Sequence, residues 1–382
     1  MSSKLHLKAI KKHFAELKDP RIDRKKLHSL SDILIIAICA VICGAEEWSE
    51  IELFGKAKKK WFKSFLQIPN GIPSHDTFSR VFSRLAPAEF QKCFLSWLDY
   101  LKSSTSLDII AIDGKTVRNS FDKASSKAAI HMVSAWSSNN GCVLGQVKVD
   151  EKSNEITAVP KLLEILELSD CVVTMDAMGC QKEHAAKIIS KGGDYIFALK
   201  GNQGHFHEEV KSFCEDAINS DFDGIDQKTF QTTEKGHGRI DIRRYHLITD
   251  LSWSKKAAEW CGLKAVGIVR STRKIEGKET NETRMYCTSL VDAKALARGI
   301  RKHWNVENQL HWVLDDAFKE DKYRIRKDNA PENFSILRHI ALNQLKKEKS
   351  IKNGIKSKRL KAGWDERSEE HTSELQSPYV IS

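Results

Sequence analysis

The chain opens in a helical rhythm. Apolar residues recur three and four apart over about Leu5 to Leu17, and Asp19-Pro20 ends that pattern. The next run, ILIIAICAVICGA from Ile33 to Ala45, is apolar on every side, as a buried helix is, and Ser31 or Asp32 is placed to cap it. Helical spacing continues over Trp48 to Phe65, Ser74 to Leu85 and Pro87 to Leu101. The polar stretch Lys102 to Ser106 reads as a linker, so residues 1–104 are expected to form one all-helical unit.

Beyond the linker the period changes. Strands are expected at Asp108 to Asp113, Ile130 to Trp136 and Cys142 to Val149, with Ser137 to Gly141 as the hairpin turn. A helix over Val159 to Leu168, a strand over Cys171 to Asp176, a helix over Gln181 to Ser190 and a strand over Tyr195 to Lys200 follow. This order predicts a mixed α/β sheet with an antiparallel side. A helix at His205 to Ile218 and strands at Lys228 to Thr232, Ile240 to Leu247, Lys264 to Ser271 and Thr283 to Ser289 read as a largely β insertion. It occupies about 201–290 within a catalytic unit of 105–345. Helix returns from Asp292 to Phe318, with a break expected near Lys302 to Asn305, and again from Pro331 to Lys347.

Composition narrows the partners. With 62 Lys and Arg against 51 Asp and Glu, the net charge of +11 favours polyanions without requiring nucleic acid. The basic run Lys346 to Lys361 reads either as a phosphate-neutralising tail or as a plain solubilising one, opening a flexible segment 346–382 that turns acidic. The 9 cysteines include no Cys-x-x-Cys pair, which points to reduced, packed thiols in a cytoplasmic protein. No secretory signal is visible at the start. The longest apolar run is well short of the ~20 residues a membrane span needs, so no membrane partner is expected.

Three acids stand out against this frame. Asp113 closes the apolar run IIAI, and Asp176 closes CVVTM; each is followed by a small residue. Strands that finish this way present both carboxylates at the carboxyl edge of a sheet, where open α/β sheets bind ligands. Either aspartate could instead cap the next turn. Glu307 lies on the helix RKHWNVENQLHWVLDDAF, on or beside the apolar face of Trp304, Leu310, Val313 and Phe318, where a cation or a partner such as Arg301 or Arg338 would offset its burial. Three carboxylates suit Mg²⁺, which takes oxygen ligands and leaves room for substrate phosphate. Two such ions support in-line phosphoryl displacement without a protein base. The histidines form no zinc motif by spacing.

Basic residues near these positions are candidates for phosphate contact. Lys115 and Arg118 follow Asp113, with surface pairs to Glu151 or Asp122 as the alternative. Lys200 ends a strand at the same sheet edge. Arg239 and Arg243 share a strand face with Asp241, which offers either a DNA-receiving face or an ordinary exposed strand laced by Asp241 and Glu234. Trp304 and Trp312, eight apart on a helix, are expected to pack in the core rather than stack on bases.

These stretches together resemble a known family. DPRIDRKKLHSLSDILIIAICAVICGAEEW, GIPSHDTFSRVF, AIDGKTVRNS, TMDAMGCQKEHA, HGRIDIRRY and RKHWNVENQLHWVLDDAFKEDKYRIRKDNAPENF follow in chain order over about Lys18 to Gln344. The pattern is similar to the H-repeat-associated group of bacterial insertion-sequence transposases. The resemblance implies an RNase H-like catalytic core with a β-rich insertion, preceded by a helical domain. It places the metal ligands on Asp113, Asp176 and Glu307, with Mg²⁺ or Mn²⁺ as two ions per site. It also implies double-stranded DNA with terminal inverted repeats, and target DNA, as partners of an enzyme that cuts and joins strands; because two ends must be handled together, a homodimer on paired ends is expected. A nuclease without strand transfer and a non-catalytic DNA-binding descendant are the alternatives. One departure stands on the glutamate helix. The broader group carries Arg four residues before the glutamate and Lys after it, whereas this chain has His303 and Leu314; phosphate positioning therefore passes to Arg301, Lys322, Arg324 and Arg326.

Overall fold

The structure is a computed structural model that describes residues 10–23, 26–101, 108–122, 127–150, 153–236 and 238–364. The start of the helix expected at Leu5 to Leu17, the linker Lys102 to Ser106 and the acidic end of the chain lie outside them; residues 10–13 are helical.

Five helices precede the sheet: α1 (Leu30–Ile42), α2 (Trp48–Ala57), α3 (Lys59–Lys63), α4 (His75–Arg84) and α5 (Pro87–Leu101). The cap of α1 is Ser29, not Ser31 or Asp32; its side chain accepts from the Asp32 amide at 3.0 Å, so the helix begins earlier than its apolar run. The stretch Trp48 to Phe65 breaks at Lys58 into α2 and α3.

The sheet comprises β1 (Ile109–Thr116), β2 (His131–Ser137), β3 (Cys142–Lys148), β4 (Val172–Met175), β5 (Asp194–Leu199), β6 (Lys228–Gly236), β7 (Arg239–Ile248), β8 (Ala265–Ile275) and β9 (Lys278–Thr288). Their order is β3-β2-β1-β4-β5-β9-β8-β7-β6. Strands β1, β4 and β5 are mutually parallel and every other neighbour is antiparallel. The four later strands therefore extend the central sheet through β5–β9 pairing. They also run past their apolar portions, because backbone pairing continues into solvent; β8 and β9 meet at Glu276-Gly277, both at positive φ, as a two-residue hairpin turn needs.

Alternation along the strands divides the two faces. Ile110, Ile112, Val173 and Met175 join one cluster with α6 (Glu155–Ile165), α7 (Lys182–Ser190) and the start of α8 (Gly204–Asn219). Ile109 and Val172 meet α9 (Ala293–His303) on the other face, while Ala111 joins the helical cluster there. Helix α6 starts at Glu155, before the expected Val159, and contains Pro160. The carbonyl of Ile156, which that proline cannot bond, lies 3.0 Å from the His184 ring Nε2; Nδ1 of the same ring is 2.8 Å from the Gly179 carbonyl. That ring ties the loop after β4 to α6.

Helices α10 (Trp312–Ala317), α11 (Ala330–Lys347) and α12 (Ile355–Trp364) complete the described chain. Helix α11 is buried from Ala330 to Leu345 apart from Glu332, and it joins the N-terminal helices and the sheet in one apolar cluster. Asn343 on α11 bonds both the N–H and the C=O of Val143, at 2.8 and 2.9 Å. The basic run Lys346 to Lys361, expected to be solvated, is instead partly packed. Arg359 is 4% exposed and pairs with buried Glu46, while its guanidinium donates to the carbonyls of Val41, Ala45 and Ala317. The reason is local. A guanidinium can satisfy several carbonyls at once and so enters a core that a lone ammonium avoids. Among the described residues no helix is long and apolar enough to cross a membrane.

Candidate active site

The parallel ladder between β1 and β4 ends with Ile112 opposite Met175. One register step further, Asp113 and Asp176 become neighbours at the carboxyl edge. Strand β1 does not stop at Asp113, as expected, but continues to Thr116 against β2 alone, with Asp113 opposite Ser134. The alternation that sends Ile109 and Ala111 to the α9 face carries Asp113 and Lys115 to it as well, and Val172 and Thr174 carry Asp176 there. Asp176 also caps the next turn, accepting from the amides of Met178 and Gly179 at 3.0 and 3.2 Å. Capping and a ligand role are thus compatible, because one oxygen makes both bonds.

Glu307 begins a π turn, Glu307–His311, after the helix breaks at Trp304. Such turns often occur at functional sites. Glu307 is exposed, rather than lying on the apolar side formed by Val306, Leu310, Val313 and Leu314. Neither Arg301 nor Arg338 pairs with it: Arg301 bonds Glu234 at 3.0 Å and Arg338 reaches Glu320 at 3.4 Å. The last residue of the turn, His311, puts Nδ1 3.5 Å from Asp113 Oδ2. Burial, reinforced by Lys115, pushes His311 down to about 4, so the ring is neutral near pH 7.

Burial lifts the Asp113 carboxyl to about 7, and the neighbouring charges of Asp176, Glu155 and Glu307 add to the lift against an opposing Gly114 backbone hydrogen bond. Among the described residues, no Lys or Arg forms an ion pair with Asp113. The donors are all hard oxygens facing a surplus of negative charge, which is the chemistry a divalent cation fits. Among the described residues, however, no group of three or more His, Cys, Asp or Glu side chains converges closely enough to hold a metal ion in this conformation.

Lys115 points into an acidic cluster, not toward solvent or toward Asp122; Glu151 lies outside the described residues. Its Nζ lies 2.7 Å from Asp315, 2.9 Å from Glu320 and 3.6 Å from Asp321. These contacts fasten β1 to the segment following the Glu307 turn. Burial alone would raise the Glu320 carboxyl, yet Lys115 and Arg338 hold it at about 2. A depressed carboxylate pKa stabilises the fold above the unfolded value of about 4.3 and loses that contribution as pH falls toward 2. Urea midpoints measured from pH 5 to pH 2 are therefore expected to fall more gently in Glu320→Gln than in the parent. Equal slopes would show that Glu320 is not held low. His311 and His339, both pushed to about 4 by burial, are expected to add a separate loss as pH falls from about 6.5 to 4.

The other basic candidates are scattered more widely. Arg118 is 82% exposed with Asp321 at 3.4 Å, and Lys200 is exposed where β5 ends. Arg239 and Arg243 are laced to Asp241 at 3.2 and 3.6 Å, and Arg243 reaches Glu234 at 3.1 Å. Lys322 and Arg324 are exposed, whereas Arg326 donates to the Asn119 carbonyl at 3.1 Å and lies over the Phe121 ring.

One residue escaped the reading of the sequence. Glu155 bonds His131 at 2.7 Å beneath Gly114, where an added Cβ would overlap its carboxylate. The glycine after Asp113 was the available signal. His303, where the broader group has Arg, lies 3.0 Å from the Thr174 hydroxyl, two residues before Asp176.

This arrangement has known relatives. The Transposase DDE domain model matches residues 104–344, and the DDE_Tnp_1-associated model matches residues 11–98. The H repeat-associated protein YhhI of Escherichia coli K12 is 44% identical over 368 residues, spanning 94% of this chain and 96% of its own. YbfL of the same strain is 43% identical with the same coverage, 94% and 96%. A solved piggyBac transposase synaptic complex with hairpin DNA overlays at a TM-score of 0.47 and 11% identity, covering 99% of this chain and 83% of that one, too loosely to match residues. A helical unit leading into a mixed sheet, full-length kinship with these proteins and a transposase-domain match over most of the chain lead to one assignment: this protein belongs to the H-repeat-associated DDE transposases.

Proposed function

We propose that the protein cuts the ends of a DNA element and joins them to target DNA, with Asp113, Asp176 and Glu307 holding Mg²⁺ or Mn²⁺, two ions per site. The observation that carries this reading is the Asp113 carboxyl, lifted to about 7 by burial and by its acidic neighbours, beside a register that brings Asp176 alongside. Bound divalent cations stabilise the charge that develops on phosphate oxygens during in-line displacement.

Asp113 and Asp176 would hold the cations at the sheet edge, with Glu307 completing the ligand set from its π turn, and the cations would supply the positive charge that the reacting phosphate needs. Lys115 positions that turn relative to β1 instead of meeting DNA. Arg118, Lys200, Arg239, Arg243, Arg301, Lys322, Arg324 and Arg326 supply backbone contacts to double-stranded DNA bearing terminal inverted repeats, and to the target. Water opens a phosphodiester at the element end and leaves a 3′-hydroxyl. That hydroxyl attacks a target phosphate, forming one P–O bond as the target's own 3′-oxygen departs. A homodimer in the cytoplasm would handle the two ends together.

Incubating the full chain with paired element ends and target DNA in Mg²⁺ or Mn²⁺ is expected to yield strands joined to target. A second reading, in which the site nicks without joining or binds without turnover, is separated from the first by the products of the same incubation. Nicks alone would select the former, and intact DNA the latter.

A further inference from the structure

The two edges of the nine-stranded sheet are finished differently. At β3 the edge is closed from within, because the Asn343 side chain accepts from the Val143 N–H at 2.8 Å and donates to its carbonyl at 2.9 Å, as a neighbouring strand would. Strand β6 lies at the other edge, with β7 as its one strand neighbour among the described residues. Hydrogen-bonded and non-hydrogen-bonded pairs alternate along an antiparallel ladder, so every second residue of β6 turns its N–H and C=O away from β7. Seven of its nine residues are exposed. The strand holds no proline, and its register with β7 runs without a bulge from Lys228 opposite Leu247 to Gly236 opposite Arg239. A long, regular edge of this kind is a template for another strand.

The side chains of β6 select the strand that fits. Two copies can pair antiparallel about a two-fold axis, and the alternation of bonded pairs limits them to registers two residues apart. With the axis at Gln231, Lys228 stands opposite Glu234 of the second copy, and symmetry makes that pair twice. Thr229 then opposes Thr233, Phe230 opposes Thr232, and no like charges meet. Moving the axis to Phe230 sets Glu234 against Asp226, and moving it to Thr232 sets Glu234 against Phe230. Opposite charges and paired threonines across strands are favourable, whereas like charges face to face are not. The charges that would deter an arbitrary strand therefore complement a second copy of this one.

We propose that β6 is a dimerisation strand, through which two chains join edge to edge about Gln231 and continue one sheet across the seam. This rests on the homodimer of the DNA-cutting reading and gives it a surface. A two-fold axis between antiparallel strands stands perpendicular to the sheet, so at the seam both copies turn their α9 faces to the same side. Arg243 and Arg301, which reach Glu234 on that face at 3.1 and 3.0 Å, are then presented by both copies to one side of the assembly. Growth stops at two chains, because each copy uses its open edge and the edge at β3 is already closed by Asn343.

The test uses the full chain without DNA. Sedimentation velocity of the parent at micromolar concentration is expected to show a monomer and dimer in equilibrium and nothing larger. Lys228→Glu sets like charges opposite one another at both symmetric positions, and it is expected to weaken the dimer roughly tenfold at an unchanged urea midpoint. Gln231→Cys treated with a short bis-maleimide is expected to give a covalent dimer linked through residue 231, whose two copies would lie about 5 Å apart. Lys235→Cys is expected to give none, since its two copies would lie about 27 Å apart along the strands. A monomeric parent, a larger assembly, a dimer untouched by Lys228→Glu, or crosslinking at 235 as strong as at 231 overturns the dimerisation strand and leaves the DNA-cutting reading standing. An inert protein that still crosslinks at 231 sinks the cutting reading alone.

Discussion

Asp113→Asn and Glu307→Gln proteins are expected to bind element-end duplex yet cut it at least about 10³-fold more slowly than the parent, the loss that several kcal/mol of metal-stabilised charge implies. The two assays must be read together, because a folded but inert protein differs from an unfolded one only in binding. Asp113→Asn carries a second, opposite expectation. A carboxyl lifted to about 7 contributes stability that is complete below the unfolded value near 4 and lost as pH rises through 7. Without divalent cation, the Asn variant is therefore expected to denature at higher urea than the parent at pH 8 and to lose that advantage at pH 4. Added Mg²⁺ or Mn²⁺ should raise the parent's midpoint and leave the variant's nearly unchanged. Undiminished cutting by either variant would remove these acids from the chemistry.

Replacing Arg359 with Ala is expected to cost about 3–5 kcal/mol, since it strands a buried partner. Glu46 is 3% exposed, and burial already lifts its carboxyl to about 7 although Arg359 and Arg338 lower it. The same change frees the carbonyls of Val41 and Ala317, which belong to α1 and to the end of α10. Arg359→Lys should rescue little, because an ammonium cannot serve several carbonyls and a carboxylate in the guanidinium's planar fork. A urea midpoint within a few tenths molar of the parent, at unchanged slope, would refute the clamp. Cutting should fall with stability here, since α10 follows directly on the Glu307 turn.

The legibility of the site was uneven in an instructive way. Asp113 and Asp176 were visible because each closes an apolar run, a signal that depends only on neighbours in sequence. The burial of Lys115 was not visible, since its partners Asp315, Glu320 and Asp321 lie some two hundred residues away. Trp304 and Trp312, expected in the core, are 40% and 63% exposed, and they misled for a related reason. Helical spacing assumes a regular turn, and a single π turn rotates everything beyond it. Arg359 reads as part of a basic run until the carbonyls that receive it are known.

Periodicity along the chain was enough to specify the helices, most strand cores and two carboxylates at strand ends, because burial on one side of a helix or strand writes a local pattern. Strand order, the step that sets Asp113 beside Asp176, the outward stripe of the Glu307 turn and the inward path of Lys115 and Arg359 were decided only by folding. Each depends on pairing between segments far apart in the chain, where a one-residue change of register exchanges core for solvent.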